Sequence, residues 1–212
     1  MYDNKKFLVN TVAFFGLLFA GFAQAQPPSG PMSFFVTSQG SGNGGDLGGL
    51  AGADAICQNL AESVDQGHLT WRAYLSTQGD NAVNARDRIG PGPWFNPNGY
   101  RVAADIESLH NLNHRVTSET ALDERGRVIP GSFAVPNRHD VLTGSRSDGT
   151  AYPAGEDMTC NNWTSNSDDG KARVGHHDFA AWASAHDSRG CSAHALTLSG
   201  GDGLFYCFAL PE

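Results

Sequence analysis

The chain has 212 residues and a formal net charge of −8, with 22 acidic and 14 basic side chains. An acidic surface repels phosphate backbones and anionic lipid, so the charge disfavours a nucleic-acid partner and binding to a membrane surface. The 26 glycines occur with few long periodic segments, which predicts an irregular, loop-rich fold.

The N-terminal residues have the pattern of a secretory signal peptide. Lys5 and Lys6 precede an apolar run over residues 7–22, and small residues flank Gln24. A membrane anchor is the alternative, but the run is shorter than the roughly 20 residues that span a bilayer. We therefore expect a signal peptide over residues 1–25 and a secreted or periplasmic protein with no membrane span after cleavage.

The rest of the chain is predicted to be a flexible lead over residues 26–32 and one domain over residues 33–212, because no repeat, heptad or linker divides it. Aromatic and β-branched residues predict a strand over 32–38, and an apolar period near 3.6 predicts a helix from Leu50. Alternation of apolar and polar residues predicts a second strand over 71–77.

The second half of the chain has weaker signals. Its expected elements, in chain order, are a short helix at 84–88, a strand or one helical turn at 102–109, a long ordered loop region over 110–137, a loop-rich segment over 144–190, and two strands at 194–198 and 204–209 joined by a hairpin-like turn at 199–203.

Four cysteines, an even number in an exported chain, favour two disulfides. They are Cys57, Cys160, Cys191 and Cys207. None shows the Cys-x-x-Cys spacing that structural zinc sites commonly use, so a cysteine zinc site is disfavoured. Spacing alone leaves three pairings open.

The order of several short motifs resembles a known family. These motifs are Gly52-Ala53-Asp54-Ala55-Ile56-Cys57, Trp71-Arg72-Ala73-Tyr74-Leu75, His139-Asp140-Val141-Leu142-Thr143-Gly144, Thr159-Cys160-Asn161-Asn162-Trp163, Gly190-Cys191-Ser192 and Phe205-Tyr206-Cys207-Phe208. The series resembles the endostatin-type branch of the C-type-lectin-like fold, which includes bacterial exported endostatin-like proteins. The resemblance implies an α+β, loop-rich domain with nested disulfides, Cys57 with Cys207 and Cys160 with Cys191.

The resemblance does not bring a known ligand site with it. The triplets of the calcium-dependent sugar site of the wider fold are not in this sequence. The endostatin zinc site uses histidines at the extreme N-terminus, and the expected mature N-terminus has none. Members of the wider fold bind sugars, proteins or ice, so the resemblance implies fold more firmly than function.

Candidate metal ligands lie between Cys160 and Cys191. Imidazoles and carboxylates there could hold zinc, or calcium on the aspartates, and the candidates are His176, His177, Asp178, Asp168 and Asp169. Asp148 beside Gly149 is a further calcium candidate. A polar surface loop and Asx turns would explain the same residues without an ion. If a metal binds, one of the adjacent histidines is a bystander.

Candidate ligand-contacting residues are two tryptophans and one polar pair. Trp182 and Trp94 could stack on sugar rings or anchor a partner, with His186 and Asp187 close by in sequence, although core packing is the alternative for each tryptophan. There is no Gly-x-Ser-x-Gly elbow, and we assign no catalytic residue.

These features predict an exported binding module that recognises a glycan or an extracellular, matrix-type protein through its disulfide-bounded loops. A structural component of an envelope or surface assembly is one alternative. A metal-dependent enzyme on a lectin-like scaffold is another, since unrelated functions share folds.

Overall fold

The structure is a computed structural model that describes Met1 and residues 29–211. Apart from Met1, the predicted signal peptide and the first residues of the lead lie outside the described residues. Among the residues described, no helix is both long and apolar enough to cross a bilayer.

The described chain is an α+β arrangement of short elements. In chain order they are β1 (Phe34–Val36), α1 (Gly49–Glu62), β2 (Trp71–Ala73), a 3-10 helix (Ala85–Arg88), β3 (Trp94–Phe95), β4 (Arg101–Ala103), α2 (Ile106–Leu109), β5 (Asp140–Leu142), α3 (Cys160–Trp163), β6 (Arg173–His176), β7 (His186–Asp187), α4 (Ala193–Ser199) and β8 (Gly201–Ala209). The mixed class and the many loops agree with the sequence.

Strand β8 is the centre of a six-stranded sheet. It pairs antiparallel with β1 and β2 and parallel with β5, and the sheet continues through β6 to β7. Eight of its nine residues, all but Asp202, are buried, as expected of a strand covered on both faces. Strands β3 and β4 form a separate pair.

The core is dominated by aromatic side chains. Phe35 packs on Trp71 with ring centroids 4.9 Å apart, and Tyr74 packs on Trp182 at 4.8 Å. Aromatic rings remove large apolar areas from water, which is a main favourable term in folding. Trp71 and Trp163 are both buried in this core.

Two disulfides join segments that are far apart in sequence. Cys57 of α1 bonds to Cys207 of β8, and Cys160 of α3 bonds to Cys191, with Cα–Cα distances of 5.6 Å in both. The nested pairing implied by the resemblance is therefore confirmed. Such bonds are typical of proteins that fold in an oxidising compartment.

The strand predicted over 194–198 is wrong, because these residues belong to helix α4. The Ser192 side chain accepts a hydrogen bond from Ala195 N at 3.1 Å and caps the helix N-terminus. Gly200, at φ 114°, ends the helix, and β8 begins at the next residue. The expected hairpin-like turn is thus a helix end.

The other expected elements agree more closely with the structure. The region 102–109 contains both the strand and the helical turn that were considered for it, since β4 ends at Ala103 and α2 follows. Residues 110–137 form turns and isolated bridges, as predicted. The loop-rich segment 144–190 also contains β6 and β7, and these short strands position the site described next.

Candidate metal centre

Four metal-ligating side chains converge at one end of strands β5, β6 and β7. They are His139, Asp140, His176 and His186, and their ligand atoms all lie within 4.8 Å of one another. No other group of three or more such residues occurs in the part of the chain that the structure describes.

The strand register explains this convergence. Asp140 pairs with His176 across β5 and β6, and His186 pairs with Val174 across β6 and β7. Paired residues lie on the same side of a sheet, as do residues two apart on a strand. Asp140, His176 and His186 therefore share one face, and His139 is the residue directly before β5.

Gly175 allows the connection between β6 and β7 to be tight. A Cβ atom at this position would lie 1.7 Å from the carbonyl oxygen of Trp182. Because glycine has no Cβ atom, the chain can fold back closely here, and His176 N donates to Ala181 O at 3.0 Å. Strand β7 therefore runs back along β6, and His186 lies beside His176 with the ring centroids 5.0 Å apart.

The Asp140 carboxylate is at the centre of the cluster. Its Oδ1 lies 3.1 Å from His139 Nε2, 3.3 Å from His176 Nε2 and 3.3 Å from His186 Nε2. The side chain is 2 % exposed. Three imidazole nitrogens thus surround one buried oxygen.

These contacts do not have the directionality of hydrogen bonds. Neither oxygen of Asp140 nor Nε2 of His176 has a hydrogen-bond partner among the described residues. Leaving one buried polar group without a hydrogen bond costs about 1–3 kcal/mol of folding free energy, and a buried charge costs more. The four ligand atoms instead lie close to one another, as the ligands of one cation do.

Three of the separations in the cluster match the edges of a tetrahedral zinc site. Zinc binds imidazole nitrogen and carboxylate oxygen at about 2.0–2.2 Å, so neighbouring ligand atoms in a tetrahedron lie about 3.3–3.5 Å apart. The three distances from Asp140 Oδ1, 3.1 to 3.3 Å, are close to that edge length. Imidazole-rich sets favour zinc and neighbouring transition metals, whereas calcium and magnesium favour oxygen ligands.

Hydrogen bonds at Nδ1 orient two of the imidazoles. Nδ1 of His139 lies 3.3 Å from Asp178 Oδ1, and Nδ1 of His186 lies 3.1 Å from the Asp187 carbonyl oxygen. Both partners are acceptors, so they favour the tautomer with the proton on Nδ1. That tautomer leaves the Nε2 lone pair free to ligate.

The cluster is buried on one side and open on the other. The Asp140 side chain is almost fully enclosed, His139 and His176 are partly enclosed, and the His186 side chain is 42 % exposed. An ion could therefore reach the buried carboxylate past His186.

Of the five metal candidates from the sequence, the cluster contains only His176. His177 is buried and does not belong to the cluster, and burial lowers the pKa of its imidazole. Partial burial raises the pKa of Asp178, but the Ser132 amide and the imidazoles of His177 and His139 have the larger combined effect. The pKa of Asp178 is therefore below its usual value. Asp178 contacts a ligand histidine and is not a ligand itself.

Two of the three aspartates suggested for calcium accept hydrogen bonds from other residues. Asp168 Oδ1 accepts from Ser192 Oγ, and Asp169 is exposed. Asp148 Oδ1 accepts from the backbone and side chain of Thr150, as in an Asx turn. These residues do not gather around a common point, so they do not form the expected oxygen-rich site.

The predicted ligand-contacting tryptophans lie in the core. Trp94 is 1 % exposed and Trp182 is 2 % exposed, and the Trp182 indole donates to Leu109 O at 2.9 Å. Each ring borders a surface cavity, of about 320 Å³ and 210 Å³ respectively. Neither presents an open face for stacking on a sugar, which corrects the role expected from sequence.

The other two predicted contacts, His186 and Asp187, have different roles. His186 belongs to the metal cluster. Asp187 forms ion pairs with Lys171 at 2.9 Å and Arg173 at 3.0 Å. Partial burial raises the pKa of Asp187, but these two cations lower it below its usual value. Asp187 therefore fixes β7 to β6.

Sequence reasoning missed His139 and Asp140 as ligands. The signal that could have found them is the position of this His-Asp pair directly before the apolar Val141 and Leu142. Such a pattern indicates two side chains of metal-ligating type at the start of a strand. What the sequence does not show is that β5 pairs with β6, which lies far along the chain.

Comparison with known proteins gives no family assignment. No protein-family model matches this chain, and no curated protein matches it.

Proposed function

We propose that this chain is an exported binding module whose ligand is a first-row transition-metal ion, zinc by preference. One observation carries the proposal: three imidazole Nε2 atoms lie 3.1 to 3.3 Å from a buried Asp140 oxygen that receives no hydrogen bond from the described residues. A divalent ion at the shared centre would neutralise the carboxylate and use all three lone pairs.

The number of protein ligands favours binding over hydrolysis. Structural zinc sites have four protein ligands, whereas catalytic sites typically have three and keep one position for water. The cluster offers four ligand residues. The ion would then connect three neighbouring strands and contribute directly to the stability of this edge of the sheet.

The fold and location that accompany this function are also proposals. The motif order supports an endostatin-type, C-type-lectin-like domain, and the two disulfides support a secreted or periplasmic location. Recognition of a glycan or an extracellular protein remains a separate prediction. A glycan array and matrix-protein binding assays with folded, zinc-loaded protein would test it, and no binding in either would contradict it.

Zinc affinity of single variants tests the metal proposal. The protein, purified with its disulfides formed and stripped with a chelator, should bind one zinc ion per chain in competition with a chromophoric chelator. His186→Ala should weaken zinc binding by more than about 100-fold, because removing a ligand should cost more than the 10–100-fold typical of losing a ligand's hydrogen-bond partner.

A matched control is available in His68, which is exposed and lies outside the cluster. His68→Ala removes an imidazole without touching the site, so its zinc affinity should equal that of the unsubstituted chain. Equal affinity in His186→Ala and His68→Ala would contradict the proposal, as would sub-stoichiometric binding by the unsubstituted protein.

A further inference from the structure

Asp178 connects the metal cluster to a neighbouring loop. Its Oδ1 lies 3.3 Å from Nδ1 of His139, and its Oδ2 accepts a hydrogen bond from Ser132 N at 2.9 Å. The Asp178 side chain is 7 % exposed, so both contacts are largely shielded from water. The carboxylate is therefore held between a ligand histidine and the loop.

The contact with His139 has a chemical consequence. A neutral imidazole carries one proton, and a carboxylate at Nδ1 favours the tautomer with the proton on that nitrogen. The lone pair is then on Nε2, which is the atom that faces Asp140 Oδ1 at 3.1 Å. The carboxylate also makes the imidazole a stronger electron donor to a metal.

We infer that Asp178 is a positioning residue, which sets the ligating tautomer and orientation of His139 and raises metal affinity without contacting the ion. This inference rests on the proposed metal-binding function. At 3.3 Å the contact is longer than the about 2.7–2.9 Å of charge-assisted hydrogen bonds. It should shorten when a metal withdraws electron density from the ring and makes the N–H group a better donor.

Gly131 provides an independent way to disturb Asp178. A Cβ atom at position 131 would lie 2.6 Å from Asp178 Oδ2, and the next two nearest atoms also belong to Asp178. Gly131→Ala should therefore displace the carboxylate while leaving every metal ligand in the chain. Any loss of zinc affinity in Gly131→Ala would then come from the displaced Asp178 carboxylate.

The test measures zinc affinity by chelator competition and the visible absorption of the Co²⁺-loaded protein. Asp178→Ala should weaken zinc binding by about 10–100-fold, the range typical of losing a ligand's hydrogen-bond partner. Asp178→Asn keeps an acceptor oxygen and should recover part of that loss. Gly131→Ala should also bind zinc more weakly, and the Co²⁺ bands of Asp178→Ala should shift while keeping four-coordinate intensity.

Asp169→Asn is the charge-matched control, because Asp169 is an exposed acid outside the cluster. Its affinity and Co²⁺ spectrum should equal those of the unsubstituted chain. Undiminished affinity in Asp178→Ala, or an equal loss in Asp169→Asn, would overturn the inference while leaving the metal proposal intact. Failure of the unsubstituted chain to bind zinc would overturn both.

Discussion

Asp140 sets the energetics of the site at the scale of single residues. Its carboxylate is buried, and neither oxygen has a hydrogen-bond partner among the described residues. Removing such a group from water is unfavourable unless a charge or several donors compensate. The residue at the centre of the proposed metal site is thus a source of instability when no cation is bound.

Substitution of Asp140 should have opposite effects with and without metal. At pH 8, where free imidazole is neutral, Asp140→Asn should stabilise the chelator-treated protein by about 1–3 kcal/mol, since an unpaired buried carboxylate is removed. With zinc in excess, the unsubstituted protein should be the more stable of the two. Urea unfolding with chelator and with zinc measures both differences. Equal destabilisation by Asp140→Asn in both conditions would show that the carboxylate has a purely structural role.

Prediction from sequence at the residue scale was limited by the pairing of strands. The histidine-rich segment was recognised, and His176 and His186 both lie in the cluster. Which histidine faces the ion depends on strand register, and a shift of one residue changes the face of every side chain. The roles of His177 and Asp140 therefore could not be read from spacing.

At the scale of elements, the site includes an edge strand, β7, that has few other connections. Strand β7 has only two residues, and its pairing with β6 involves Arg173 with Asp187 and Val174 with His186. An ion held by β5, β6 and β7 would add a link across all three strands. Metal binding should therefore stabilise this edge of the sheet more than the rest.

Hydrogen exchange should show this local effect. Zinc should slow amide exchange in the segment 173–187 by at least about tenfold, because opening of this edge would require release of the ion. Helix α1, tied to β8 by the Cys57–Cys207 bond, should exchange at the same rate with and without zinc. His186→Ala should abolish the zinc effect. Amide exchange that slows uniformly across the chain, or that does not slow in 173–187, would contradict the proposed metal link between these strands.

Elements with strong local signals were predictable from sequence, and ambiguous short ones were not. Strands β1, β2 and β8 contain aromatic residues that favour strands. The sequence predicts a strand over 194–198, but these residues belong to helix α4. Its helical start depends on the Ser192 cap, and Leu198 is half exposed rather than buried.

At the scale of the whole molecule, two kinds of crosslink act at different places. The Cys57–Cys207 bond closes a separation of 150 residues and holds the early helix to the last strand. The Cys160–Cys191 bond closes 31 residues around the segment that contains β6 and β7. Each bond contributes about 3–5 kcal/mol on the loop-entropy model. The proposed ion would link β5, β6 and β7 directly to one another, which neither disulfide does.

The overall organisation followed from the sequence where covalent and compositional constraints are strong. The four cysteines predicted two disulfides, and the glycine-rich composition predicted short elements in a loop-rich chain, as the structure shows. The metal cluster depends on long-range packing between β5, β6 and β7, which composition does not encode. The endostatin-type resemblance stays a prediction.

X-ray absorption at the zinc edge tests the central claim most directly. The protein loaded with one zinc ion per chain should show nitrogen and oxygen neighbours at about 2.0–2.1 Å, with multiple scattering from three imidazoles. His186→Ala should reduce the imidazole number to two. A first shell of water oxygens, or a spectrum unchanged by His186→Ala, would contradict coordination by His139, Asp140, His176 and His186.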